Sequence, residues 1–346
     1  MYYTVETENS KILLIYTGGT IGMMKDYETG VLRAFEFDNI YHRIPELSHL
    51  DCSIDSVAFE KAIDSSDMNP KHWINIAETI EKNYDNYDGF VVLHGSDTMS
   101  YSASALSFML EGLSKPVIFT GSQLPVGDLR TDAKENLITS IQLAALKENG
   151  ESVIKEVGLY FEYKLYRGNR TTKINAENFQ AFVSMNYPTL AESGVHLKVM
   201  KENLLSPKTN AKLKVWKEFD QNVAIIKLFP GITEKILNGI FNISGLKAVV
   251  LETYGSGNAP TEKWFLNCLE AAVKKGIYIV NVTQCSGGSV VLGKYEASEY
   301  LRKMGVINGK DITTEAAIVK LMILLKKNIS SNLFKISFEE NISGEI

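Results

Sequence analysis

Short runs of β-branched and other apolar residues alternate along the chain with segments whose apolar residues recur at helical spacing. In the first half, this pattern predicts strands at residues 11–17, 90–93, 117–120 and 157–161. It also predicts helices, at residues 71–83, 98–111 and 132–147. Alternation of strand and helix at this spacing is typical of a parallel sheet covered by helices.

The alternation weakens over residues 187–220, which we interpret as an edge hairpin or an interdomain connection. It then resumes, with predicted strands at 223–229, 248–254 and 277–283 and helices at 233–241, 261–275 and 314–327. We therefore expect an α/β fold with two domains. A large N-terminal domain with a parallel-type sheet is expected at residues 1–190, a linker or edge region at 191–220, and a smaller C-terminal α/β domain at 221–346.

Composition narrows the classes of function. The net charge of −5 leaves no basic surplus for a phosphate backbone, so we expect no nucleic-acid partner. Acidic residues occupy the place of a signal peptide's positive region, and no apolar stretch approaches the length that spans a bilayer. The cysteines, Cys52, Cys268 and Cys285, form no CxxC pair. We expect a cytoplasmic protein with no metal, no other cofactor and no membrane partner.

Ligands of open α/β sheets bind beyond the carboxyl ends of the strands. That rule selects three loops, at residues 17–22, 94–99 and 121–125, which are rich in glycine and hydroxyl residues. Gly18 and Gly19 allow a sharp turn that leaves Thr20 at the end of the first strand. The spacing of dinucleotide and triphosphate loops is absent, so a nucleotide site has weak support.

Each candidate also has an ordinary structural interpretation. From the residues alone, Ser96 or Asp97 is better explained as the N-cap of the helix that begins near residue 98, although a cap there can also face a ligand. Lys173 follows the strand at 157–161 and could relay protons at a cleft, yet most lysines are solvated surface residues. From the residues alone, Thr20 is a residue at a strand end where a ligand would bind.

The motifs of these loops identify a family. The chain contains TGGTIG at 17–22, DSSDM at 64–68, HGSDTM at 94–99, PVIFTGSQLP at 116–125, LYRGNRTTK at 165–173 and NVTQCSGG at 281–288. In this order and combination they resemble the bacterial-type L-asparaginases, specifically the cytoplasmic type I branch. The resemblance implies hydrolysis of L-asparagine to L-aspartate and ammonia, with L-glutamine as a possible weaker substrate. It also implies the two-domain asparaginase fold, and a homodimer or homotetramer with the active site at a subunit interface.

The resemblance also implies roles for individual residues. Thr20 matches the nucleophile, and Lys173 matches the lysine of a second hydroxyl–lysine–aspartate cluster, in which Ser96 and Asp97 also lie. Serine stands at position 96 where the family usually has threonine, and its hydroxyl is less restrained without the β-methyl group.

Substrate binding is implied for the DSSDM loop, at Asp64, Ser65 and Ser66, together with Ser96 and Asp97. Asp97 matches the carboxylate that binds the α-ammonium group of the substrate. The DSSDM loop matches the segment that holds the α-carboxylate and amino group.

The group that activates Thr20 is left open by the sequence. Residues 26–31 align poorly with the family's activating tyrosine, because Tyr27 falls early and Val31 occupies the matching place. Tyr295 fits a C-terminal tyrosine that some relatives use, and we rank it above Tyr27. The other candidate base is Lys173 acting through Ser96, although Asp97 favours the ammonium form, which cannot accept a proton.

The resemblance extends to regulation, because some type I relatives resemble allosteric enzymes in which asparagine also binds a second site, and Thr172 and Cys285 match positions of that site. Glu252 replaces the arginine expected there, and its charge would repel an effector carboxylate. We expect this regulation to be absent or altered.

Two alternative functions stay open. The chain could be the amidase subunit of a tRNA-dependent amidotransferase, although only about ten residues precede the first predicted strand, where such subunits carry an extra domain. It could also be a catalytically silent amino-acid-binding protein, because of Ser96 and the poorly matched tyrosine.

Overall fold

A computed structural model of the protein describes residues 10–25, 32–34, 44–206, 212–293, 296–327 and 329–346. These residues form two compact units, the first ending at Lys217 and the second beginning at Glu218.

The first unit contains both short and long elements. Its strands are β1 (Ser10–Gly18), β2 (Met23–Lys25), β3 (Leu32–Ala34), β4 (Cys52–Ile63), β5 (Gly89–Leu93), β6 (Leu110–Glu111), β7 (Val117–Thr120), β8 (Lys147–Glu148), β9 (Glu151–Ser152), β10 (Val157–Phe161), β11 (Lys164–Arg167), β12 (Thr172–Lys173), β13 (Phe182–Val183), β14 (Ala191–Glu192), β15 (Lys198–Val199) and β16 (Lys214–Val215). Its helices are α1 (Pro70–Asn83), α2 (Met99–Met109) and α3 (Ala133–Ala145).

The large sheet of this unit confirms the predicted parallel arrangement. Within the described residues it has eight strands in the order β15-β14-β11-β10-β7-β5-β1-β4. The pairs from β4 through β1, β5 and β7 to β10 are parallel. Strands β5, β7 and β10 are buried along their whole length, as expected for central strands covered on both faces. The carboxyl ends of these strands consequently share one edge of the sheet.

Two parts of the sheet depart from the predicted pattern. After β10 the chain turns back into β11, which pairs antiparallel with it, so no helix separates these two strands. Strand β4 lies at the sheet edge, and its apolar residues alternate with exposed polar ones. The adjacent polar residues Asp55-Ser56 and Glu60-Lys61 interrupt this alternation, so the segment was not predicted as a strand.

The second unit is a smaller α/β domain, as predicted. Its strands are β17 (Val223–Lys227), β18 (Ala248–Thr253), β19 (Tyr278–Thr283) and β20 (Ile307–Asn308), which are parallel to one another in that order. Its helices are α4 (Glu234–Phe241), α5 (Lys263–Lys274), α6 (Glu296–Lys303), α7 (Thr314–Leu324) and α8 (Ser331–Glu339). None of the helices in the described part of the chain has the length and apolar character needed to cross a bilayer.

Within the second unit, a buried ion pair joins the C-terminal segment to α7. Lys320 on α7 is 1% exposed and donates to the carboxylate of Glu345, which is 0% exposed. Glu345 also accepts from the backbone N–H groups of Ile342 and Ser343. Burial lowers the pKa of Lys320, and the neighbouring Glu345 carboxylate partly offsets that effect. The pair therefore holds residues 340–346 against α7.

Glu345→Gln should lower the free energy of unfolding by about 3 kcal/mol, because it leaves the Lys320 ammonium buried beside a neutral group. Urea unfolding of the parent and the variant measures this difference. Glu270→Gln is the matched control, since the Glu270–Lys274 pair is exposed and should contribute less than about 0.5 kcal/mol. Equal small losses in both variants would contradict the proposed role of the buried pair.

Candidate active site

The loops after β1, β4 and β5 are in direct backbone contact. Gly18 and Gly19 have φ angles of 140° and 88°, a region that residues other than glycine rarely adopt. A β-carbon on Gly19 would lie 2.5 Å from the backbone nitrogen of Gly95. One on Gly95 would lie 2.5 Å from Ser65 Oγ. Glycine at these positions therefore lets three strand ends converge on one small region.

Thr20 begins a single turn of 3₁₀ helix, Thr20–Gly22, and its side chain is half-buried. The strand before it is fixed by Thr17, whose Oγ1 donates to the carbonyl of Leu93 at 2.9 Å. The turn itself is held by Tyr16, whose hydroxyl donates to the carbonyl of Gly22 at 3.2 Å. Burial raises the pKa of Tyr16 to about 12, so this phenol stays a donor at neutral pH. Thr20 thus sits on an ordered turn at the end of β1.

The DSSDM loop forms a second 3₁₀ turn, Ser65–Asp67, beside the first. Asp64 caps this turn by accepting from the backbone N–H of Ser66 at 2.9 Å and from its hydroxyl at 2.8 Å. These two hydrogen bonds lower the pKa of Asp64. The hydroxyl of Thr98 donates to the carbonyl of Ser65 at 2.7 Å and ties this loop to the one after β5. Ser65 is buried, whereas Ser66 is exposed.

Ser96, Asp97 and Lys173 form one hydrogen-bonded cluster. Lys173 Nζ donates to Ser96 Oγ at 2.8 Å and to Asp97 Oδ1 at 2.7 Å. The lysine side chain is 16% exposed and the aspartate is 65% exposed, so the ion pair is open to solvent on its carboxylate side. Such a half-exposed pair adds little stability. The pair instead brings the cation of Lys173 next to a hydroxyl and a carboxylate, although Lys173 and Asp97 are 76 residues apart in the sequence.

Lys173 reaches this cluster from a small antiparallel ribbon. Lys173 on β12 lies opposite Phe182 on β13. The ring of Phe182 packs edge-on against Phe161 at the end of β10, with ring centroids 5.0 Å apart. The ribbon therefore carries the lysine from the main sheet to the loop after β5.

Behind the loop after β5, a buried chain of hydrogen bonds holds the carbonyl of Gly95 in place. The ring nitrogens of His94 lie 2.7 Å from the carbonyl of Gly95 and 2.9 Å from Ser102 Oγ. Ser102 Oγ also accepts from the indole N–H of Trp73 at 2.9 Å. A carbonyl only accepts, so Nδ1 carries the proton. In a neutral imidazole the other nitrogen, Nε2, has a lone pair and accepts from Ser102.

Burial lowers the pKa of His94 to about 4, and the charge of nearby His72 adds to that lowering. His94 is 0% exposed. The ring is therefore neutral over the physiological range and cannot exchange protons with a substrate.

Gln123 belongs to this region, although sequence patterns did not single it out. Its Oε1 lies 3.4 Å from Ser96 Oγ. Its backbone N–H donates to both oxygens of Asp132, at 3.1 and 2.9 Å. The signals in the sequence were its place in the loop after β7 and in the motif at residues 116–125. Neither signal indicated its contact with Ser96, which lies 27 residues away.

The structure does not describe either candidate tyrosine, because Tyr27 and Tyr295 lie outside the described residues. Thr172 is half-buried next to Lys173 in the first unit. Cys285 is an exposed free thiol in the second unit. No group of three or more histidine, cysteine, aspartate or glutamate residues in the described ranges is arranged to hold a metal ion.

Glu252 has a structural environment of its own. Its Oε1 accepts from the hydroxyl of Thr314, at the first turn of α7, at 2.7 Å. Its other oxygen lies 3.6 Å from Lys227 Nζ. A carboxylate near a helix N-terminus is favoured by the helix dipole. These contacts give Glu252 a stabilising role within the second unit.

Comparison with known proteins supports the resemblance of the motifs. Residues 11–205 match the model of the asparaginase N-terminal domain, and residues 222–336 match that of the glutaminase/asparaginase C-terminal domain. L-asparaginase 1 of Escherichia coli (strain K12) is 40% identical over 340 residues, which cover 98% of each chain.

A solved structure and a more distant relative complete the comparison. The crystal structure of L-asparaginase I from Vibrio cholerae O1 biovar eltor superposes with a TM-score of 0.88 at 39% identity, covering 98% of this chain and 99% of that one. One of the subunits of the glutamyl-tRNA(Gln) amidotransferase of Pyrococcus abyssi is 33% identical over 341 residues, which are 97% of this chain and 76% of that protein.

The neutral, buried His94 predicts a pH dependence of stability. Its folded pKa of about 4 lies below the value of about 6.5 in an unfolded chain, so the unfolded state binds the proton first as pH falls. The free energy of unfolding should therefore decrease from about pH 6.5 towards pH 4. Between pH 7 and pH 4.5 this residue should contribute a loss of about 2 kcal/mol.

Urea unfolding of the parent and His94→Gln at both pH values isolates this contribution, because glutamine does not titrate. The parent should lose about 2 kcal/mol more than the variant over this range. Parallel losses in the two proteins would show that His94 does not couple folding to pH.

Proposed function

The chain belongs to the asparaginase family, and from that premise we propose that it hydrolyses L-asparagine to L-aspartate and ammonia with Thr20 as the nucleophile. The observation that carries the proposal is the convergence of the Thr20, Ser65 and Ser96 loops at the glycine contacts, with Lys173 bound to Ser96 and Asp97. L-glutamine is proposed as a weaker substrate.

The reaction proceeds as two acyl transfers. Thr20 Oγ1 attacks the side-chain amide carbon of asparagine, the carbon–nitrogen bond breaks, and ammonia leaves with the proton that the hydroxyl gives up. Water then attacks the resulting ester, releases aspartate and returns the proton to Thr20. Backbone N–H groups of the turn at residues 95–97 are assigned as donors to the developing oxyanion.

Substrate binding is assigned to the two loops that flank Thr20. Asp97 is 65% exposed and uses Oδ1 for Lys173, which leaves its second oxygen to bind the α-ammonium group of the substrate. Ser65 and Ser66, on the turn capped by Asp64, are assigned to the α-carboxylate and amino group. Ser66 already donates its hydroxyl proton to Asp64, so its oxygen is oriented as an acceptor for an ammonium group.

The base that activates Thr20 is assigned to Tyr295. Lys173 donates hydrogen bonds to a carboxylate and a hydroxyl, an arrangement suited to an ammonium ion, which has no lone pair to accept a proton. Lys173 is therefore assigned to hold Ser96 in place electrostatically rather than to deprotonate Thr20.

Assembly and location complete the proposal. A homodimer or homotetramer is proposed, as in the family that the motifs resemble. The cytoplasm is proposed as the location, because Cys52, Cys268 and Cys285 are all free thiols, which persist in a reducing compartment.

The alternative functions have less support. The amidotransferase relative is less similar than the bacterial L-asparaginase, at 33% against 40% identity, and this chain covers only 76% of its length. A silent binding protein would use Asp97 for the α-ammonium group, but it would not need a lysine held against the hydroxyl of Ser96. Calorimetric binding of asparagine without ammonia release would favour that alternative over hydrolysis.

Thr20→Ala should lower kcat for asparagine by at least about 10³-fold, because it removes the attacking oxygen. Steady-state ammonia release with asparagine and with glutamine measures the loss. Thr79→Ala is the matched control, since Thr79 lies on α1 and donates only to the backbone of the preceding turn. Unchanged turnover in Thr20→Ala would refute the assignment of the nucleophile.

We also propose that the asparagine regulation of some relatives is absent or altered in this chain. Glu252 is held by Thr314 and Lys227, so its position would present a carboxylate to an effector's own carboxylate. The velocity should therefore depend hyperbolically on asparagine concentration, in the parent and in Cys285→Ala alike. Sigmoidal kinetics that Cys285→Ala abolishes would overturn this proposal.

A further inference from the structure

The side chain of Gln123 has only one chemically acceptable orientation. Its Nε2 lies 3.2 Å from the carbonyl of Ala176 and 3.0 Å from the carbonyl of Asn178. Two carbonyl oxygens require donors, so the amide nitrogen must face them. The amide oxygen then faces Ser96 Oγ, 3.4 Å away. Rotation of the amide by 180° would place three oxygens against one another and is excluded.

The backbone of Gln123 is equally well held. Asp132 accepts from the N–H groups of Gln123 and Leu124, at 2.9 to 3.1 Å. Asn136 donates to Asp132 at 3.2 Å and to the carbonyl of Gly121 at 3.0 Å. Burial raises the pKa of Asp132, and these hydrogen bonds oppose the rise. The Gln123 amide is therefore presented from a rigid loop rather than from a mobile one.

The hydroxyl of Ser96 takes its direction from Lys173 and Gln123. Lys173 Nζ only donates, so Ser96 Oγ accepts from it at 2.8 Å. The single proton of Ser96 then points to Gln123 Oε1. A serine hydroxyl lacks the β-methyl group that restrains a threonine, so these two contacts supply the restraint. An amide carbonyl is too weak a base to remove this proton, so the proton stays on Ser96 Oγ and is hydrogen-bonded to Gln123. A lone pair of Ser96 Oγ remains available on the substrate side.

We propose that Gln123 is a positioning residue for asparagine hydrolysis, which orients the hydroxyl of Ser96 and fastens the loop at residues 174–181 against it. This inference rests on the proposed function. Through Asn178 and Ala176, the same amide fixes the loop that connects Lys173 on β12 with β13. One side chain thereby sets both the direction of the hydroxyl and the position of the ribbon that carries its cationic partner.

Steady-state kinetics of Gln123→Met tests the orientation of Ser96. Methionine keeps the length of the side chain and removes its donor and acceptor. We expect kcat for asparagine to fall about tenfold, the equivalent of one hydrogen bond, with KM changed less than about threefold. Gln180→Met, at an exposed glutamine of the same loop, is the matched control and should match the parent. A kcat of Gln123→Met within twofold of the parent would overturn the proposal.

A double-mutant cycle separates positioning from a general structural effect. If Gln123 acts through Ser96, Gln123→Met should lower kcat little further in a Ser96→Ala background, because no hydroxyl is left to orient. A residue that only supports the fold would lower kcat by the same factor in both backgrounds, and that result would contradict the proposal.

Hydrogen–deuterium exchange tests the second half of the proposal without any turnover. In Gln123→Met, the amides of residues 174–181 should exchange at least about fivefold faster, because the loop loses two donors to its carbonyls. In Ser96→Ala these donors remain, so exchange should equal that of the parent. Unchanged exchange in Gln123→Met would overturn the proposal. Absence of ammonia release by the parent would instead refute the proposed function, and exchange would still decide whether Gln123 fastens the loop at residues 174–181.

Discussion

The close approach of backbone at Gly18, Gly19 and Gly95 is the constraint on which the candidate active site depends. A β-carbon at any of these positions would overlap the neighbouring strand end or Ser65. Because the parallel strands deliver their carboxyl ends to one edge, the loops must share a small volume there. Glycine at the contacts lets the backbones touch, so Thr20, Ser65 and Ser96 are drawn from three separate segments into one place.

Around this contact, the hydrogen-bonding capacity of each polar group determines which group donates and which accepts. The Lys173 ammonium only donates and the Asp97 carboxylate only accepts, which fixes the direction of every hydrogen bond between them and Ser96. On the buried side, neutral His94 completes a chain of donors that ends at the carbonyl of Gly95. The exposed side of the cluster carries charge, and the buried side carries none.

Sequence patterns predicted the buried central strands and the amphipathic helices, and missed features whose environment is decided by distant neighbours. Strands β7 and β10 were predicted at their observed bounds, because central strands are apolar throughout. The edge strand β4 was missed, because two pairs of adjacent polar residues interrupt its alternation. The contacts of Gln123 could not be predicted from its motif, since its partners Ser96 and Asn178 lie 27 and 55 residues away. The roles of Thr20 and Lys173 came from family resemblance, not from periodicity.

The most direct test of the account is to trap the covalent intermediate. Acid quenching of the protein during turnover of asparagine, followed by peptide mapping by mass spectrometry, should reveal one aspartyl ester on the peptide that contains Thr20. The same treatment of Thr20→Ala should leave every peptide unmodified. An aspartyl ester found on another hydroxyl, such as that of Ser96, would contradict the central claim that Thr20 is the nucleophile.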